Sequence, residues 1–209
     1  MFSSVENIIH ELEAARKSPF LVGIDGLSGA GKSTIADRLR ELLPNVEVVR
    51  KDDFYRVMDE AVRFSLAAEQ GYQQYFDWQR LERQVLRPIS AGQSTRYQRY
   101  DWVREALAET IELSSHSIVV VEGVCSTRPE LRDYYHLRIW VETSEPERLR
   151  RQIARGENSI EWISRWAAAE SYYVEKFSPR DSAHRIVAGD SGEMELGLKV
   201  EKRGKHTND

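Results

Sequence analysis

Short runs of consecutive apolar residues are separated along this chain by longer stretches in which apolar residues recur every three or four positions. Strands of a parallel sheet that is covered on both faces read as continuous apolar runs, whereas the longer spacing is typical of amphipathic helices. Five apolar runs occur, at residues 20–24, 46–49, 118–121, 137–141 and 185–188. Strands alternating with helices predict an α/β fold, with a five-stranded parallel sheet flanked by helices in three layers.

Polar residues and prolines mark where the helices begin and end. Ser3 followed by Glu6 resembles a capping box, so we predict a first helix from there to about Lys17. Apolar residues at helical spacing predict a second helix over residues 34–43, which Pro44 ends. Both helices adjoin predicted strands and are expected to pack on the sheet.

Residues 51–117 differ from the rest of the chain because they are rich in aromatic residues and arginines. Their pattern is mostly helical, with breaks near Gly71, Pro88 and Gly92, and predicts an inserted segment that faces a substrate. A chain of 209 residues fits one domain. We predict that this domain covers residues 1–191 and that residues 192–209 form a polar C-terminal tail.

The stretch Gly26–Ser33 matches the pattern G-x-x-x-x-G-K-[ST] between a predicted strand and a predicted helix. In such a P-loop the backbone N–H groups surround phosphates, Lys32 reaches the outer phosphates, and the Ser33 hydroxyl binds Mg²⁺. The start of the helix adds the positive end of its dipole. We therefore expect ATP and Mg²⁺ as ligands, and a P-loop NTPase version of the α/β fold. The predicted nucleotide-binding residues are Gly26, Leu27, Ser28, Gly29, Ala30, Gly31, Lys32, Ser33 and Thr34.

Acidic residues follow two of the predicted strands at the edge where the P-loop lies. Mg²⁺ needs only the loop hydroxyl and a nearby carboxylate because it keeps several waters, and Glu122 stands where that carboxylate belongs. Asp52 and Asp53 follow the second strand, where a carboxylate could accept the proton of an attacking hydroxyl. We favour Asp52 as this base, although by spacing alone Asp53 is nearly as good.

Composition limits the partners and the location of the protein. The net charge is −4, which disfavours binding to nucleic acid or to anionic membrane surfaces. The single cysteine, Cys125, excludes an internal disulfide, and the five histidines have no metal-ligand spacing. No apolar stretch is long enough to span a membrane, and the amino terminus does not read as a signal peptide. We therefore expect a cytoplasmic protein; its oligomeric state is left open, a homo-oligomer included.

The order of these motifs resembles the uridine kinase family of P-loop kinases and its relatives, the nicotinamide riboside kinases. The shared features are the P-loop, an aspartate followed by Phe54-Tyr55, and an apolar strand that closes in Glu122-Gly123. The resemblance covers about residues 20–189 and implies a kinase that transfers the γ-phosphoryl group of ATP to a nucleoside 5′-hydroxyl.

Several site residues are implied by this resemblance. Asp52 would be the catalytic base, and Asp77 would bind the ribose 2′- and 3′-hydroxyls. Residues 145–170 resemble the family's lid, in which Arg151 and Arg155 are the favoured catalytic arginines. The remaining acceptor-binding residues that we predict are Asp53, Tyr55, Phe76, Tyr100, Trp102 and Glu105.

Two departures from the family pattern leave the acceptor open. Glu105 stands where uridine kinases carry a histidine that reads the pyrimidine, and the lid is several residues shorter. A carboxylate there would favour a cationic or hydrogen-bond-donating acceptor, as amide-bearing ribosides are. The alternatives are a kinase of another hydroxylated metabolite, such as pantothenate or ribulose phosphate, and a non-catalytic nucleotide-sensing P-loop protein.

Overall fold

A computed structural model describes residues 2–15 and 18–190, and it confirms the predicted α/β fold. All five strands predicted from the apolar runs pair in one parallel sheet, in the order β2-β5-β1-β6-β7. The predicted tail at 192–209 and the predicted end of the first helix at Lys17 lie outside the described residues. The seven strands of the described residues are β1 (Phe20–Asp25), β2 (Val46–Arg50), β3 (Thr95–Asp101), β4 (Ala106–Leu113), β5 (Ile118–Glu122), β6 (Leu137–Glu142) and β7 (Arg185–Ala188).

Helices cover both faces of the sheet. One apolar core joins Ile8 and Leu39 to one face, and a second joins Leu81 and Val85 to the other face. None of the helices in the described ranges is long and apolar enough to cross a membrane. The helices are α1 (Val5–Glu13), α2 (Lys32–Leu42), α3 (Glu60–Ser65), α4 (Ala68–Gln74), α5 (Trp78–Leu81), α6 (Arg87–Ser90), α7 (Glu145–Arg155) and α8 (Ile160–Phe177), with a π-helical turn at Glu82–Leu86.

The sheet brings the carboxyl ends of β1, β2 and β5 to one edge. β1 lies between β5 and β6, with Ile24 opposite Glu122, and β2 pairs on the outer side of β5, with Arg50 opposite Glu122. Because all strands are parallel, the loops that follow them open on the same side. The P-loop, the residues after β2 and the residues after β5 therefore meet at this edge.

The first helix begins one residue later than predicted. Ser4, not Ser3, is the N-cap residue, and its hydroxyl accepts a hydrogen bond from the Asn7 N–H at 3.2 Å. The helix ends at Glu13. Adjacent serines offer the same capping chemistry, so the sequence pattern could not separate them.

The prediction that residues 51–117 are mostly helical is wrong for the second part of that segment. α3 to α6 occupy its first part, but β3 and β4 form a separate antiparallel hairpin. Tyr97 and Tyr100 are its buried residues on β3, and the register shifts between Gln98 and Tyr100. This irregularity places the buried tyrosines three positions apart, which is a helical spacing, and thus hides the alternation that marks a strand.

Candidate active site

The P-loop connects the end of β1 to the start of α2 and is held in place by close backbone packing. Gly29 has a φ of +79°, and a β-carbon there would lie 2.5 Å from the carbonyl oxygen of Arg148 on α7. Only glycine tolerates both conditions. The Lys32 ammonium turns back into the loop and donates to the Leu27 carbonyl at 3.0 Å.

Asp25, the last residue of β1, anchors the start of the loop and was not singled out from the sequence. Its buried carboxylate accepts hydrogen bonds from the N–H of Gly26, the N–H of Cys125, the N–H and hydroxyl of Thr127, and the phenol of Tyr173, at 2.7–2.9 Å. Five donors fully satisfy a buried carboxylate. Asp25 therefore joins the P-loop to the loop after β5 and to α8.

Side chains from the two helices of the lid region hold the middle of the P-loop. The buried carboxylate of Glu170, on α8, accepts from both the N–H and the hydroxyl of Ser28. Gln152, on α7, donates to the Ser28 carbonyl at 3.3 Å. Desolvation by burial raises the pKa of Glu170. Glu170 is thus a functional candidate that sequence reasoning missed, because its partner lies 142 positions away in the chain.

The two predicted lid arginines occupy different places. Arg151 pairs with Glu147 at 2.7 Å and donates to the carbonyls of Gly29 and Gly189, so its guanidinium braces the back of the P-loop. Arg155, the last residue of α7, lines the cavity in front of the loop. Of the two, Arg155 lies where it could contact a transferring phosphate.

Ser33 and Glu122, which the sequence predicts as Mg²⁺ ligands, lie in contact with each other. The Ser33 hydroxyl donates to Glu122 Oε1 at 3.1 Å, and Arg50 approaches the same carboxylate at 2.9 Å while also binding Asp37. Both groups offer hard oxygen donors, which are what Mg²⁺ prefers. No group of three or more His, Cys, Asp or Glu side chains that could hold a metal occurs in the described ranges. Two oxygen donors are enough for Mg²⁺, because this ion keeps several of its waters.

Glu122 and Asp52 share one electrostatic environment. Desolvation raises the pKa of Glu122, and Lys32 acts in the opposite direction. The Asp52 side chain faces the cavity and is surrounded by protein on its other sides. Desolvation raises the pKa of Asp52 as well, whereas the positive charges of Lys32 and Lys51 lower it. Asp52 also raises the pKa of Glu122, and Asp53 raises that of Asp52, as like charges do.

Asp53 is the side chain that the sequence could not separate from Asp52, and the structure places it elsewhere. A single 3₁₀ turn, Lys51–Phe54, carries both residues and sends their side chains in different directions. The Asp53 carboxylate is buried, accepts from the Tyr97 phenol at 2.9 Å, and pairs with Arg99 at 3.0 Å. It binds the β3–β4 hairpin and does not line the cavity.

A cavity of about 500 Å³ extends from the P-loop towards α4 and α8. It brings together ten of the residues predicted from the sequence. These are Ser28, Gly29, Gly31, Lys32, Ser33, Asp52, Phe76, Trp102, Glu122 and Arg155. Residues that the sequence did not single out, among them Tyr72, Trp166 and Glu170, complete its walls.

A second cavity, of about 170 Å³, adjoins the first and shares three wall residues with it, Trp102, Asn158 and Trp166. Its walls include the predicted acceptor residues Tyr55, Tyr100 and Glu105. The Tyr55 and Trp102 rings lie 4.5 Å apart between centroids, so the walls form a continuous aromatic surface. Of the other predicted residues, Gly26, Leu27, Ala30, Thr34, Asp53, Asp77 and Arg151 line neither cavity.

Asp77 has a capping position in the structure. Its carboxylate accepts from the Arg80 N–H at 3.0 Å and so caps α5, and it lies 3.8 Å from the guanidinium of Arg56. Its backbone N–H donates to the Phe54 carbonyl. The ribose-binding role that the family resemblance implies for Asp77 stays a prediction.

With this geometry in place, the chain can be compared with known proteins. Residues 21–160 match the model of the Phosphoribulokinase / Uridine kinase family. Uridine-cytidine kinase B of Dictyostelium discoideum is 28% identical over 144 residues, which cover 66% of this chain and 59% of that protein. A uridine kinase of Halobacterium salinarum is 30% identical over 143 residues, which cover 65% and 62%. The chain thus spans about three fifths of the length of these relatives.

Solved structures show the same fold. A possible uridine kinase from Bacillus stearothermophilus superimposes with a TM-score of 0.68 at 24% identity, covering 88% of this chain and 96% of that one. A D-glycerate 3-kinase from Cryptococcus neoformans gives a TM-score of 0.53 at 14% identity, with coverage of 81% and 85%. The family model covers most of the chain, including the P-loop, Asp52 and Glu122. This chain belongs to the phosphoribulokinase and uridine kinase family.

Proposed function

We propose that the protein is an ATP-dependent kinase that transfers the γ-phosphoryl group to a hydroxyl of a small molecule, with the 5′-hydroxyl of a nucleoside as the acceptor. The observation that carries this proposal is the single cavity that joins the P-loop, Asp52 and Glu122 and continues into an aromatic second cavity. The first part suits a triphosphate, and the second suits a flat ring.

The donor side of the reaction belongs to the P-loop. Lys32 and the N–H groups at the start of α2 would bind the phosphates of ATP. Ser33 and Glu122 would hold Mg²⁺, which would supply positive charge to neutralise the phosphates. Arg155 would approach the transferring phosphate from the lid side.

The acceptor side belongs to Asp52. As the acceptor oxygen forms its bond to the γ-phosphorus, the bond from that phosphorus to the bridging oxygen of ADP breaks, and Asp52 receives the hydroxyl proton. Desolvation raises the pKa of Asp52, which makes it a stronger base than an ordinary aspartate, while Lys32 and Lys51 oppose the shift. Water must be kept from the same phosphorus, which is the role that we assign to the lid region at 145–170.

The ring of the acceptor would lie in the second cavity. Tyr55, Tyr100 and Trp102 offer aromatic faces and edges, and Glu105 offers a carboxylate to an N–H or to a positive charge. A uridine- or cytidine-like ring and a nicotinamide-like ring are both flat, and both could stack on these walls. Glu105→His should raise turnover with uridine if this carboxylate faces the ring, and unchanged turnover would count against that assignment.

The proposal is tested by a phosphoryl-transfer screen with Mg²⁺ and ATP. The acceptors are ribonucleosides, deoxyribonucleosides, nicotinamide riboside, pantothenate and ribulose 5-phosphate. We expect transfer to at least one ribonucleoside, and an Asp52→Asn variant should bind ATP normally while transfer falls roughly 10²- to 10⁴-fold, as for a general base. Transfer only to pantothenate or ribulose 5-phosphate would replace the nucleoside assignment. ATP consumption that no acceptor changes would instead favour a nucleotide-sensing protein.

A further inference from the structure

Lys51 is a buried lysine beside the proposed base, and the phosphoryl-transfer scheme does not use it. Only 2% of its surface is exposed. Lysine is almost never buried to this extent without an anionic partner, and within residues 2–15 and 18–190 no carboxylate lies at ion-pair distance from its ammonium. Burial, together with the nearby Arg128, lowers the pKa of Lys51. Burial of an ammonium group without a carboxylate partner costs folding free energy, and the contacts of Lys51 indicate what this burial serves.

The contacts of Lys51 join three parts of the site. Its ammonium donates a hydrogen bond to the carbonyl oxygen of Val124, in the loop that follows β5. The same ammonium lies 4.4 Å from the centroid of the Phe76 ring. Its β-carbon fills the space that a side chain at position 123 would need, so that position must be Gly123. The end of β2 is thereby tied to the end of β5 and to a wall of the first cavity.

These three contact points are next to the residues that would do the chemistry. Asp52 follows Lys51 directly in the chain, and Glu122 directly precedes Gly123. Phe76 lines the first cavity, whereas Lys51 itself does not. Because its ammonium lies behind the cavity wall, Lys51 is placed to orient other groups and not to touch the reactants.

We propose that Lys51 is a positioning residue that ties the end of β2 to the loop after β5 and so fixes Asp52 and Glu122 relative to each other. The effect of Lys51 on catalysis rests on the proposed function. Its structural role, which connects the end of β2 to the loop after β5, does not. Glu122 belongs to the donor side and Asp52 to the acceptor side. A shift between them of about 1 Å would misalign base and phosphorus, which can lower the rate roughly 10²-fold without weakening binding.

The test compares Lys51→Met, which keeps the length of the side chain but loses its ammonium, with Arg38→Met. Arg38 lies on α2 and pairs only with Glu41, at 3.5 Å, so this control also removes one positive charge. For Lys51→Met we expect kcat to fall about 10- to 100-fold with the KM for ATP within about twofold of the original value. Arg38→Met should change neither constant. If Lys51→Met does not fold, Lys51→Leu, which also lacks a donor, is measured in the same way with the same expected losses.

Hydrogen exchange gives a readout that does not depend on activity. The Gly123 N–H donates to the Ile24 carbonyl, and the Cys125 N–H donates to Asp25. Loss of the tie should make the amides of residues 123–126 exchange at least about tenfold faster, while those of Leu137–Glu142 stay unchanged. Unchanged exchange at 123–126, or a kcat within twofold of the original, would overturn the proposal. If the original protein transferred phosphate to no acceptor, the proposed function would fail and exchange alone would decide on the tie.

Discussion

The adjacent aspartates Asp52 and Asp53 should respond in opposite ways to the same substitution. Asp53→Ala removes the acceptor of the Tyr97 phenol, which lies in a residue only 2% exposed, and breaks the pair with Arg99. Asp53 and burial raise the pKa of Tyr97, so its phenol remains a donor that needs a partner. A buried donor left without a partner costs about 1–3 kcal/mol.

The pair with Arg99 adds less because the Arg99 side chain is 44% exposed and screened by water. We therefore expect Asp53→Ala to lower the free energy of unfolding by about 1–4 kcal/mol. In a chain of this size each kcal/mol moves Tm by about 2–4 °C, so Tm should fall by roughly 2–16 °C. Asp52→Ala should leave Tm unchanged or raise it, because it removes a desolvated carboxylate.

The assay measures thermal unfolding by circular dichroism and phosphoryl transfer well below either Tm. Asp53→Ala should keep kcat within several-fold of the original protein, whereas Asp52→Ala should lose at least about 10²-fold. The reasoning would be refuted if Asp53→Ala kept its Tm and lost transfer. It would equally be refuted if Asp52→Ala lost as much stability as its neighbour.

Three further predictions test the donor side and the charges. Gly29→Ala should raise the KM for ATP at least about tenfold, measured by steady-state kinetics, because its β-carbon would meet the Arg148 carbonyl at 2.5 Å and its φ is +79°. Arg50→Met should destabilise the fold by about 2 kcal/mol in denaturant titrations, because it leaves Glu122 buried without its ion-pair partner. Adding Glu122→Gln should restore most of that loss. If the effects of the two substitutions on stability were strictly additive, this coupling would be contradicted. The acid limb of kcat/KM should have its midpoint above the ordinary aspartate pKa of 3.8, because Asp52 must be ionised to act and its pKa is raised. A carboxyl group whose pKa is higher in the folded than in the unfolded protein favours folding below its unfolded pKa, and this contribution is lost as the pH rises. Asp52→Asn should therefore raise Tm more at pH 7 than at pH 4. A larger increase in Tm at pH 4 would contradict the raised pKa of Asp52.

The sheet and the P-loop could be predicted because their signals are local. Each parallel strand is a short, mostly apolar run, and the P-loop carries its whole motif in eight consecutive residues, Gly26–Ser33. The hairpin could not be predicted because the register shift between Gln98 and Tyr100 gives its buried tyrosines a helical spacing. The irregularity in β3 thus hides the alternation of apolar and polar residues by which strands are recognised in a sequence.

The roles of the charged residues could be predicted only in part, because they depend on contacts between distant parts of the chain. Asp52 and Asp53 are adjacent residues just after β2, and the 3₁₀ turn decides which of them faces the cavity. Arg50 meets Glu122 across 72 positions, and Glu170 meets Ser28 across 142. Such pairs leave no periodic signal in a single sequence.

The most direct test of the central claim is a crystal structure with Mg²⁺, a non-hydrolysable ATP analogue and the acceptor found in the screen. The account predicts the triphosphate along the P-loop, with Glu122 on the Mg²⁺ side of the γ-phosphate and the Asp52 carboxylate within hydrogen-bond distance of the acceptor hydroxyl. A structure in which Asp52 and Glu122 both point away from the bound nucleotide would contradict it.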